Sequence, residues 1–277
     1  MGFHSVFRDD LFADQVILVT GGGSGIGRCI AHELASLGAT VHISGRTEEK
    51  LETVASEISE SGGNVDWSIC DIREEDQVEK LFEIILEKHG SLNSLVNNAG
   101  GQFPSPLEDM SKKGWDAVIR NNLTGTFLVS QQSFKTFFQE NGGNIVNIVA
   151  DFSRGMQLIA HSSAARAGVD NLTKTASIEW AKYGIRVNSV APGLTSTAGQ
   201  QAYGEEFLKV MEERKKRIPL KKLATESEIS AAVTFLLSPA ASHMTGTIVK
   251  VDGGFSLCGP MIPLGEYEAS EGFNGFT

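Results

Sequence analysis

Residues 16–27 read VILVTGGGSGIG, a run of strand-forming residues followed directly by a glycine-rich turn. Continuous Val, Ile and Leu residues are typical of a strand buried on both faces of a parallel sheet. Glycines let the chain turn tightly and let a diphosphate approach the backbone N–H groups at the start of a helix. A glycine-rich stretch alone is a weak signal, but its position between a strand and a helix predicts a dinucleotide site. The predicted contacts are Gly21, Ser24, Gly25, Ile26 and Gly27.

Short apolar segments alternate with longer amphipathic segments along the rest of the chain. The predicted strands are Val16–Thr20, Thr40–Ser44, Val65–Asp71, Ser94–Asn97, Gly143–Val149, Ile185–Ala191 and Thr247–Val251. The predicted helices include Gly25–Leu37, Glu48–Ser61, Glu74–Lys88 and Gly114–Gln139. Parallel strands need such helical crossovers, which are right-handed. The pattern therefore predicts one doubly wound α/β domain of Rossmann type over residues 1–277, with a seven-stranded parallel sheet and helices on both faces.

Three segments depart from this alternation. Residues 1–15 are expected to form an N-terminal arm. Residues 195–223 follow Pro192-Gly193, carry few apolar side chains and are strongly charged. They fit either a surface helical insertion or a lid over a substrate. Residues 255–277 contain several glycines and prolines and predict a loosely structured C-terminal tail.

Composition narrows the function classes. Because 41% of the residues are hydrophobic, the chain can form a folded core. The formal net charge of −10 and the pI near 5.1 argue against nucleic acid or an anionic membrane as partner. Three widely spaced cysteines form no CxxC pair and predict reduced thiols. Since no apolar run approaches the ~18 residues that span a bilayer, we expect a soluble, cytoplasmic protein without a metal site.

The end of the second predicted strand bears on the choice of cofactor. Folds that prefer NAD usually place an acidic residue here to bind the ribose 2′-hydroxyl. The sequence instead reads His42-Ile43-Ser44-Gly45-Arg46. An arginine can bind a 2′-phosphate through bidentate, charge-assisted hydrogen bonds. The sequence therefore favours NADP(H) over NAD(H). The alternative is that Arg46 is a solvated side chain at a strand end without a role in binding.

These features resemble the short-chain dehydrogenase/reductase family over nearly the whole chain. The matching motifs are Thr20 to Gly27, Asn97-Asn98-Ala99-Gly100, Asn122-Leu123-Thr124-Gly125, Pro192-Gly193 and Asp252-Gly253-Gly254. The resemblance implies a catalytic role for Asn122. It also implies cofactor contacts at Asp71, Ile72, Asn98, Ala99, Gly100, Pro192, Gly193 and Thr197.

A narrower resemblance points to the trans-2-enoyl-CoA reductase branch known from peroxisomes. It is carried by Gly100-Gly101-Gln102-Phe103, Lys113-Gly114-Trp115, His161 to Gly168 and Asn171-Leu172-Thr173-Lys174. This likeness implies an acyl-CoA substrate.

The chain departs from the family at the residues that complete catalysis. The family's Ser position is Ala150, and its Tyr-xxx-Lys positions hold Ser162 and Arg166. In the resembling enoyl reductases a Tyr-xxx-Lys pair can lie two turns further along, where this chain has Asp170 and Lys174. None of the tyrosines, Tyr183, Tyr203 and Tyr267, is followed by Lys four residues later. The usual phenol acid is absent.

The missing phenol favours one chemistry over another. Ketone reduction forms an alkoxide that needs immediate protonation, whereas hydride addition to an unsaturated thioester forms an enolate that needs hydrogen-bond donors. Asn122 and Ser162 could supply such donors, and Arg166 could bind the nicotinamide ribose. The Cα proton would come from solvent or from a mobile group such as Tyr203. We therefore expect NADPH-dependent reduction of a trans-2-enoyl-CoA, with an alcohol or ketone oxidoreductase and a redox-inactive NADP(H)-binding homologue as alternatives.

Each of these side chains also has a plain structural interpretation. Asn122 could bond the backbone of a helix interior, Ser162 could allow close helix packing, and Arg166 could form an ion pair on a helix face. Asp170 and Lys174, spaced i and i+4, predict an exposed salt bridge.

Two further expectations concern partners. The cations Arg214, Lys215, Lys216, Arg217, Lys221 and Lys222 could meet the phosphates of CoA or simply form a solvated helix end. The family resemblance implies a homo-oligomer, dimer or tetramer, through helices at Gly114–Gln139 and Ser162–Lys182.

Overall fold

A seven-stranded parallel sheet, in the order β3-β2-β1-β4-β5-β6-β7, forms the centre of the molecule. The computed structural model describes residues 9–197, 204–259 and 264–276, without the side chains of 204–208. The strands are β1 Val16–Thr20, β2 Thr40–Gly45, β3 Asn64–Ile69, β4 Ser94–Asn97, β5 Gly143–Ile148, β6 Ile185–Pro192 and β7 Ile248–Val251. The order reverses between β1 and β4, so a crevice opens beyond the carboxyl ends of these two strands.

Helices cover both faces of the sheet, as the sequence predicts. On one face α1, α2 and α9 bury Leu34, Ile58 and Val233 against the sheet. On the other face α3 and α5 bury Phe82 and Val129, and α7 packs beside α5. The helices are α1 Gly25–Ser36, α2 Glu48–Glu60, α3 Glu75–His89, α4 Lys112–Ile119, α5 Gly125–Ser133, α6 Gln139–Asn141, α7 Ala160–Glu179, α8 Gly204–Lys215 and α9 Glu226–Leu237.

Strand β3 is shorter than predicted, because it is an edge strand with one neighbour. Its last pairing joins Ile69 to Gly45, where β2 also ends. Asp71, which the sequence pattern placed inside the strand, therefore lies just beyond it.

The predicted helix over Gly114–Gln139 begins earlier and is interrupted twice. It begins at Lys112 because the Ser111 hydroxyl accepts a hydrogen bond from the Gly114 N–H at 3.1 Å. Turns of π-helix replace α-helix at Arg120–Thr124 and Phe134–Phe138. Such turns often mark functional positions, and Asn122 lies in the first of them.

Two of the three irregular segments, residues 195–223 and 255–277, make contacts with the body of the molecule. Thr195 pairs with Ala224 in an isolated parallel bridge, so residues 195–224 leave and return at the carboxyl end of β6. Residues 198–203 of this segment lie outside the described part, and the lid interpretation stays a prediction. Residues 264–276 contain no helix or strand, yet Gly275 N–H donates to the Ser227 hydroxyl on α9 at 2.9 Å. Within the described ranges, no helix is long and apolar enough to cross a membrane.

Candidate active site

The glycine-rich turn after β1 has the backbone shape that only glycine adopts readily. Gly21 and Gly25 have φ angles of +67° and +59°, in the left-handed region that side chains disfavour. A Cβ on Gly27 would collide with the Gly21 carbonyl oxygen and the Asn98 side-chain nitrogen. Ser24 is the extended residue that precedes α1, and Ile26 packs partly against the core. The first N–H groups of α1 are thus presented to a ligand such as a diphosphate.

The end of β4 fixes this turn in place. The Asn98 side-chain amide donates to the carbonyl oxygens of Thr20 and Gly21 at 3.0 and 3.2 Å. The Thr20 hydroxyl accepts from the N–H groups of Asn98 and Ala99 at 3.0 and 3.1 Å. Asn98 therefore contributes to the predicted cofactor site by holding the turn that would bind the phosphates.

Arg46 places a positive charge at the carboxyl end of β2, beside Asp71 at the end of β3. Arg46 is exposed and makes no ion pair or hydrogen bond with any residue that the structure describes. The Asp71 carboxylate is held by Arg73, which donates through Nε to Oδ1 at 2.8 Å. Hydrogen bonds from Arg73 keep the pKa of the Asp71 carboxyl below its ordinary value. Arg46 is thus free to bind an anionic ligand.

Two residues for which the sequence predicted no role, Arg73 and Gly125, also shape this region. Arg73 neutralises Asp71, and only its position two residues later along the chain could have signalled the pairing. Gly125 lies against Ile72, where a Cβ would meet the Ile72 side chain at 2.6 Å. Ile72, predicted to contact the cofactor, is itself buried.

Asn122 is fully buried in the π-helical turn and faces the end of β4. Its Oδ1 accepts from the Gly101 N–H at 2.9 Å and from the Asn121 amide at 3.2 Å. Its Nδ2 donates to the Ser162 hydroxyl at 3.4 Å. The backbone contact fixes the amide orientation, so that the NH₂ group points toward α7.

Ser162 is buried on the first turn of α7, and its hydrogen bonds are long. Besides accepting from Asn122, its hydroxyl donates to Gln102 Oε1 at 3.3 Å. Gln102 has no role predicted from the sequence beyond its place in the Gly100-Gly101-Gln102-Phe103 motif. Hydrogen bonds near the upper length limit are weak and can be exchanged for bonds to a ligand.

Arg166 lies one turn further along α7 and is also buried. Its Nη1 donates to the Ile148 carbonyl oxygen at 2.6 Å. A Cβ on Gly100 would collide with its guanidinium and lie 3.2 Å from Asn122 Oδ1, so Gly100 leaves the room that both side chains need. Burial lowers the pKa of the guanidinium to about 10, which leaves it charged at neutral pH. No carboxylate pairs with Arg166 among the described residues, contrary to the ion-pair interpretation.

The expected exposed salt bridge between Asp170 and Lys174 is only half correct. Lys174 Nζ lies 2.6 Å from Asp170 Oδ2, but the Asp170 side chain is only 10% exposed while that of Lys174 is 52% exposed. Asp170 Oδ1 is buried and has no hydrogen-bond partner among the described atoms. The carboxylate is buried because it continues the face of α7 that carries Ser162 and Arg166.

The remaining predicted contacts lie at the ends of β5 and β6. Ala150 follows β5 and offers no hydroxyl. A Cβ on Gly193 would meet Asp252 Cα at 2.7 Å, so β6 and β7 pack tightly here. Pro192 and Thr197 are partly exposed, and Thr197 lies on the chain just before the segment outside the described part.

Together these residues form a site at the carboxyl edge of the sheet. It combines a phosphate-binding turn, an exposed arginine, a buried arginine, and amide and hydroxyl donors that meet one another. Such a set can bind a dinucleotide and stabilise negative charge on a substrate oxygen. Within the described ranges, no group of His, Cys, Asp and Glu side chains could hold a metal ion.

Known proteins resemble the chain over most of its length. A family model described as Enoyl-(Acyl carrier protein) reductase matches residues 21–256. A probable 2,4-dienoyl-CoA reductase of Bacillus subtilis (strain 168), described as (2E)-enoyl-CoA-producing, is 37% identical over 243 residues, which are 87% of this chain and 96% of that protein. The peroxisomal 2,4-dienoyl-CoA reductase of Mus musculus, described as (3E)-enoyl-CoA-producing, is 37% identical over 256 residues, 91% of this chain and 87% of that protein.

Solved structures of other proteins are also similar to this chain. The citronellol catabolism dehydrogenase (AtuB) of Pseudomonas aeruginosa PAO1 is 48% identical, with a TM-score of 0.82, over 92% of this chain and 100% of that one. An actinorhodin polyketide ketoreductase variant with NADPH is 32% identical, with a TM-score of 0.81, over 87% of this chain and 97% of that one.

Proposed function

Because the chain belongs to the short-chain dehydrogenase/reductase family of nicotinamide-dependent oxidoreductases, we propose that it reduces a carbon–carbon double bond of an unsaturated acyl-CoA with NADPH. The observation that carries this proposal is the meeting of Asn122 and Ser162, two buried donors, at a position where none of the described residues offers a phenol acid. Such an arrangement suits an oxygen that gathers charge rather than one that must be protonated at once.

The residues present suit NADPH as the cofactor. The first turn of α1 would bind the diphosphate, and Arg46 would bind the 2′-phosphate through charge-assisted hydrogen bonds. Support comes from the exposure of Arg46 and from the absence of an acidic side chain at the end of β2. NAD(H) is the alternative.

Asn122 and Ser162 are proposed to stabilise the enolate. A nicotinamide held in this site would supply a hydride to Cβ of the enoyl thioester, and negative charge would then collect on the thioester oxygen. The Asn122 amide and the Ser162 hydroxyl would replace their long mutual hydrogen bond of 3.4 Å with bonds to this oxygen. Hydrogen bonds of catalytic groups commonly tighten only when substrate is bound, and each such donor contributes about 3 kcal/mol.

Arg166 is proposed to orient the nicotinamide ribose. A guanidinium carries five N–H donors, and the bond to Ile148 engages only one nitrogen. Because the group remains charged at neutral pH, it stabilises nearby anions without transferring a proton. The Cα proton is assigned to solvent; Tyr203, the other candidate from the sequence, lies outside the described residues.

The acyl portion is proposed to be apolar. Phe103, Leu107 and Leu158 are 41%, 67% and 42% exposed on the loops beside the site. The Ser105 N–H donates to the Leu158 carbonyl oxygen at 2.7 Å and joins these loops. A trans-2-enoyl-CoA is the first candidate substrate. A 2,4-dienoyl-CoA is the second, favoured by the relatives in Bacillus subtilis and mouse, and it makes the same demand for donors at the thioester oxygen.

One assay tests the proposal against its alternatives. NADPH absorbance would be followed with crotonyl-CoA, longer enoyl-CoAs, a 2,4-dienoyl-CoA and a panel of ketones, and the products would be identified by mass. We expect oxidation of NADPH with the acyl-CoA esters and products heavier by two hydrogens. Turnover of ketones alone would establish the alcohol or ketone oxidoreductase, and NADPH binding without any turnover would establish the redox-inactive homologue.

Cytoplasmic location and homo-oligomeric assembly stay predictions.

A further inference from the structure

The cation-rich segment at the end of α8 divides into partnered and unpartnered side chains. Four of its cations have partners within the chain: Lys215 with Glu212 at 2.9 Å, Lys216 with Glu213 at 2.6 Å, Lys222 with Glu228, and Lys221 with the Lys216 carbonyl oxygen at 2.9 Å. Arg214 and Arg217 make no ion pair or side-chain hydrogen bond with any residue in the described ranges, and both are exposed. These two guanidiniums therefore have their donors available for a ligand.

The two arginines share a surface cavity of about 360 Å³. Its other lining residues are Lys209, Val210 and Glu213. Since Lys216 neutralises Glu213, the net charge around the cavity is positive in a chain whose overall charge is −10. Val210 is 45% exposed and adds an apolar surface beside the charges. A ligand that carries phosphates next to a flat apolar ring matches this lining.

The cavity lies on the segment whose two ends are anchored at the carboxyl edge of the sheet. Residues 195–224 begin and end at the carboxyl end of β6, where Thr195 pairs with Ala224 and the Ser196 N–H donates to the Ala224 carbonyl oxygen at 2.8 Å. Asn122, Ser162 and Arg166 face the same edge. Both ends of the segment that carries α8 therefore lie at the same edge of the sheet as these three residues.

We propose that Arg214 and Arg217 bind the phosphate groups of the CoA portion of the substrate; this inference rests on the proposed function. Guanidiniums bind phosphate oxygens in bidentate fashion, which suits a mobile, solvent-exposed nucleotide end. The acyl thioester would then lie at Asn122 and Ser162 while the 3′-phospho-ADP end is held at α8.

Helix geometry offers a simpler role for the same residues. Cations stabilise the carboxyl end of a helix by interacting with its exposed carbonyl groups, and Arg214 and Arg217 lie at the end of α8. That role would affect stability and would leave the choice of thioester unchanged.

The test compares two substrates with the same acyl group. Crotonyl-CoA and S-crotonyl-pantetheine share the thioester and differ in the nucleotide phosphates. For the R214A/R217A double variant we expect kcat/KM with crotonyl-CoA to fall roughly tenfold or more, with kcat/KM for S-crotonyl-pantetheine and KM for NADPH unchanged. The K80A/K112A double variant, which removes the same charge from exposed positions on α3 and α4, should leave kcat/KM for both thioesters unchanged.

Two outcomes separate this inference from the proposed function. Equal kcat/KM of the wild-type protein for both thioesters, or equal losses for both in R214A/R217A, would overturn the arginine anchor while leaving the reduction intact. If the wild-type protein reduces none of the acyl-CoA esters in the assay of the proposed function, that function fails. Titration calorimetry with free CoA then tests phosphate binding by Arg214 and Arg217 without any turnover. Binding of CoA to the wild-type protein that is lost in R214A/R217A supports the inference. Equal binding to the wild-type protein and to the variant contradicts it.

Discussion

The side chains at the centre of the site differ in how firmly each is held. Asn122 is oriented by the Gly101 N–H at 2.9 Å, and Arg166 by the Ile148 carbonyl oxygen at 2.6 Å. Among the described residues, the Ser162 hydroxyl has only hydrogen bonds of 3.3 and 3.4 Å. The two firm residues define the shape of the site, and the loosely bonded hydroxyl is the group that a substrate oxygen can capture.

Replacing Ser162 tests the proposed oxyanion donor. In Ser162→Ala we expect kcat for crotonyl-CoA to fall on the order of 100-fold, the usual effect of losing one oxyanion donor, with the Kd for NADPH unchanged. Stopped-flow turnover and fluorescence titration measure the two quantities. Ser163→Ala is the control, because Ser163 is only partly buried and is not part of the contact with Asn122. Full activity of Ser162→Ala would remove Ser162 from the catalytic set.

Replacing Arg46 tests the cofactor preference. In Arg46→Ala we expect kcat/KM for NADPH to fall roughly 10- to 100-fold, because charge-assisted hydrogen bonds contribute about 1.5–3 kcal/mol, while kcat/KM for NADH stays the same. Steady-state kinetics with both cofactors measure this. Lys80→Ala, which removes an exposed cation from α3, should change neither value. Equal losses with both cofactors would contradict binding of the 2′-phosphate by Arg46.

At this scale the sequence predicted which residues meet but not how they are paired. Asn122, Ser162 and Arg166 could be predicted because the family motifs single out Asn122 and place Ser162 and Arg166 four residues apart, on one helix face. The pairing of Arg73 with Asp71 and the burial of Asp170 depend on side-chain packing in three dimensions, which spacing along the chain does not determine.

At the scale of elements, the strands followed the sequence pattern more closely than the helices did. Strands β1 and β4 have the predicted bounds because they are central and their apolar runs end where their burial ends. The π-helical turn around Asn122 has no residue-level signal of its own. It inserts one residue into a helix turn, and the contact of Asn122 with Gly101 in a distant loop favours it.

The C-terminal segment gives an element-scale prediction. The Phe276 ring lies 4.6 Å from the Arg28 guanidinium carbon and 5.1 Å from the His32 ring, both on α1. Cation–π contacts contribute about 0.5–1 kcal/mol at exposed sites. We expect Phe276→Ala to lower Tm by roughly 2 °C, measured by differential scanning fluorimetry. Phe273→Ala should lower it less, because that ring is 54% exposed. Equal effects of the two variants would contradict specific docking on α1.

At the scale of the whole molecule, a buried histidine pair makes stability depend on pH. His42 on β2 bonds the Ser68 hydroxyl at 2.9 Å and lies 3.3 Å from His89, with Asp66 and Lys88 nearby. Burial, assisted by His89, lowers the pKa of His42 to about 4. Burial also lowers the pKa of His89. In the native state both rings therefore resist protonation.

Acid should destabilise the fold through these rings. Because the folded-state pKa of His42 is below its ordinary value near 6.5, the unfolded chain binds the proton first, and stability falls as the pH drops from about 6.5 toward 4. We expect a loss of roughly 3 kcal/mol from His42, measured by urea denaturation across this range. His42→Gln should flatten the dependence, and His243→Gln, at an exposed position, should not. An unchanged slope in His42→Gln would contradict this account.

Assembly gives a second prediction at this scale. Ile178 on α7 is 78% exposed and Phe127 on α5 is 41% exposed, on the helices where the family resemblance places a subunit contact. Burying such side chains between two copies removes apolar surface from water. We expect Ile178→Asp to convert the oligomer to a smaller species in size-exclusion chromatography with light scattering. Ile69→Asp, on the edge strand β3, should not alter the mass, and a monomeric wild type would contradict the prediction.

The pairing of Thr195 with Ala224 has a consequence for how such an enzyme could be redesigned. The two ends of the intervening stretch sit side by side, so the entropic cost of closing it grows only slowly with its length. Segments of different length and charge could be grafted between these two anchor points without disturbing the sheet or the glycine turn. On the proposed function, such an exchange would change the contacts with the substrate and leave the nucleotide site in place.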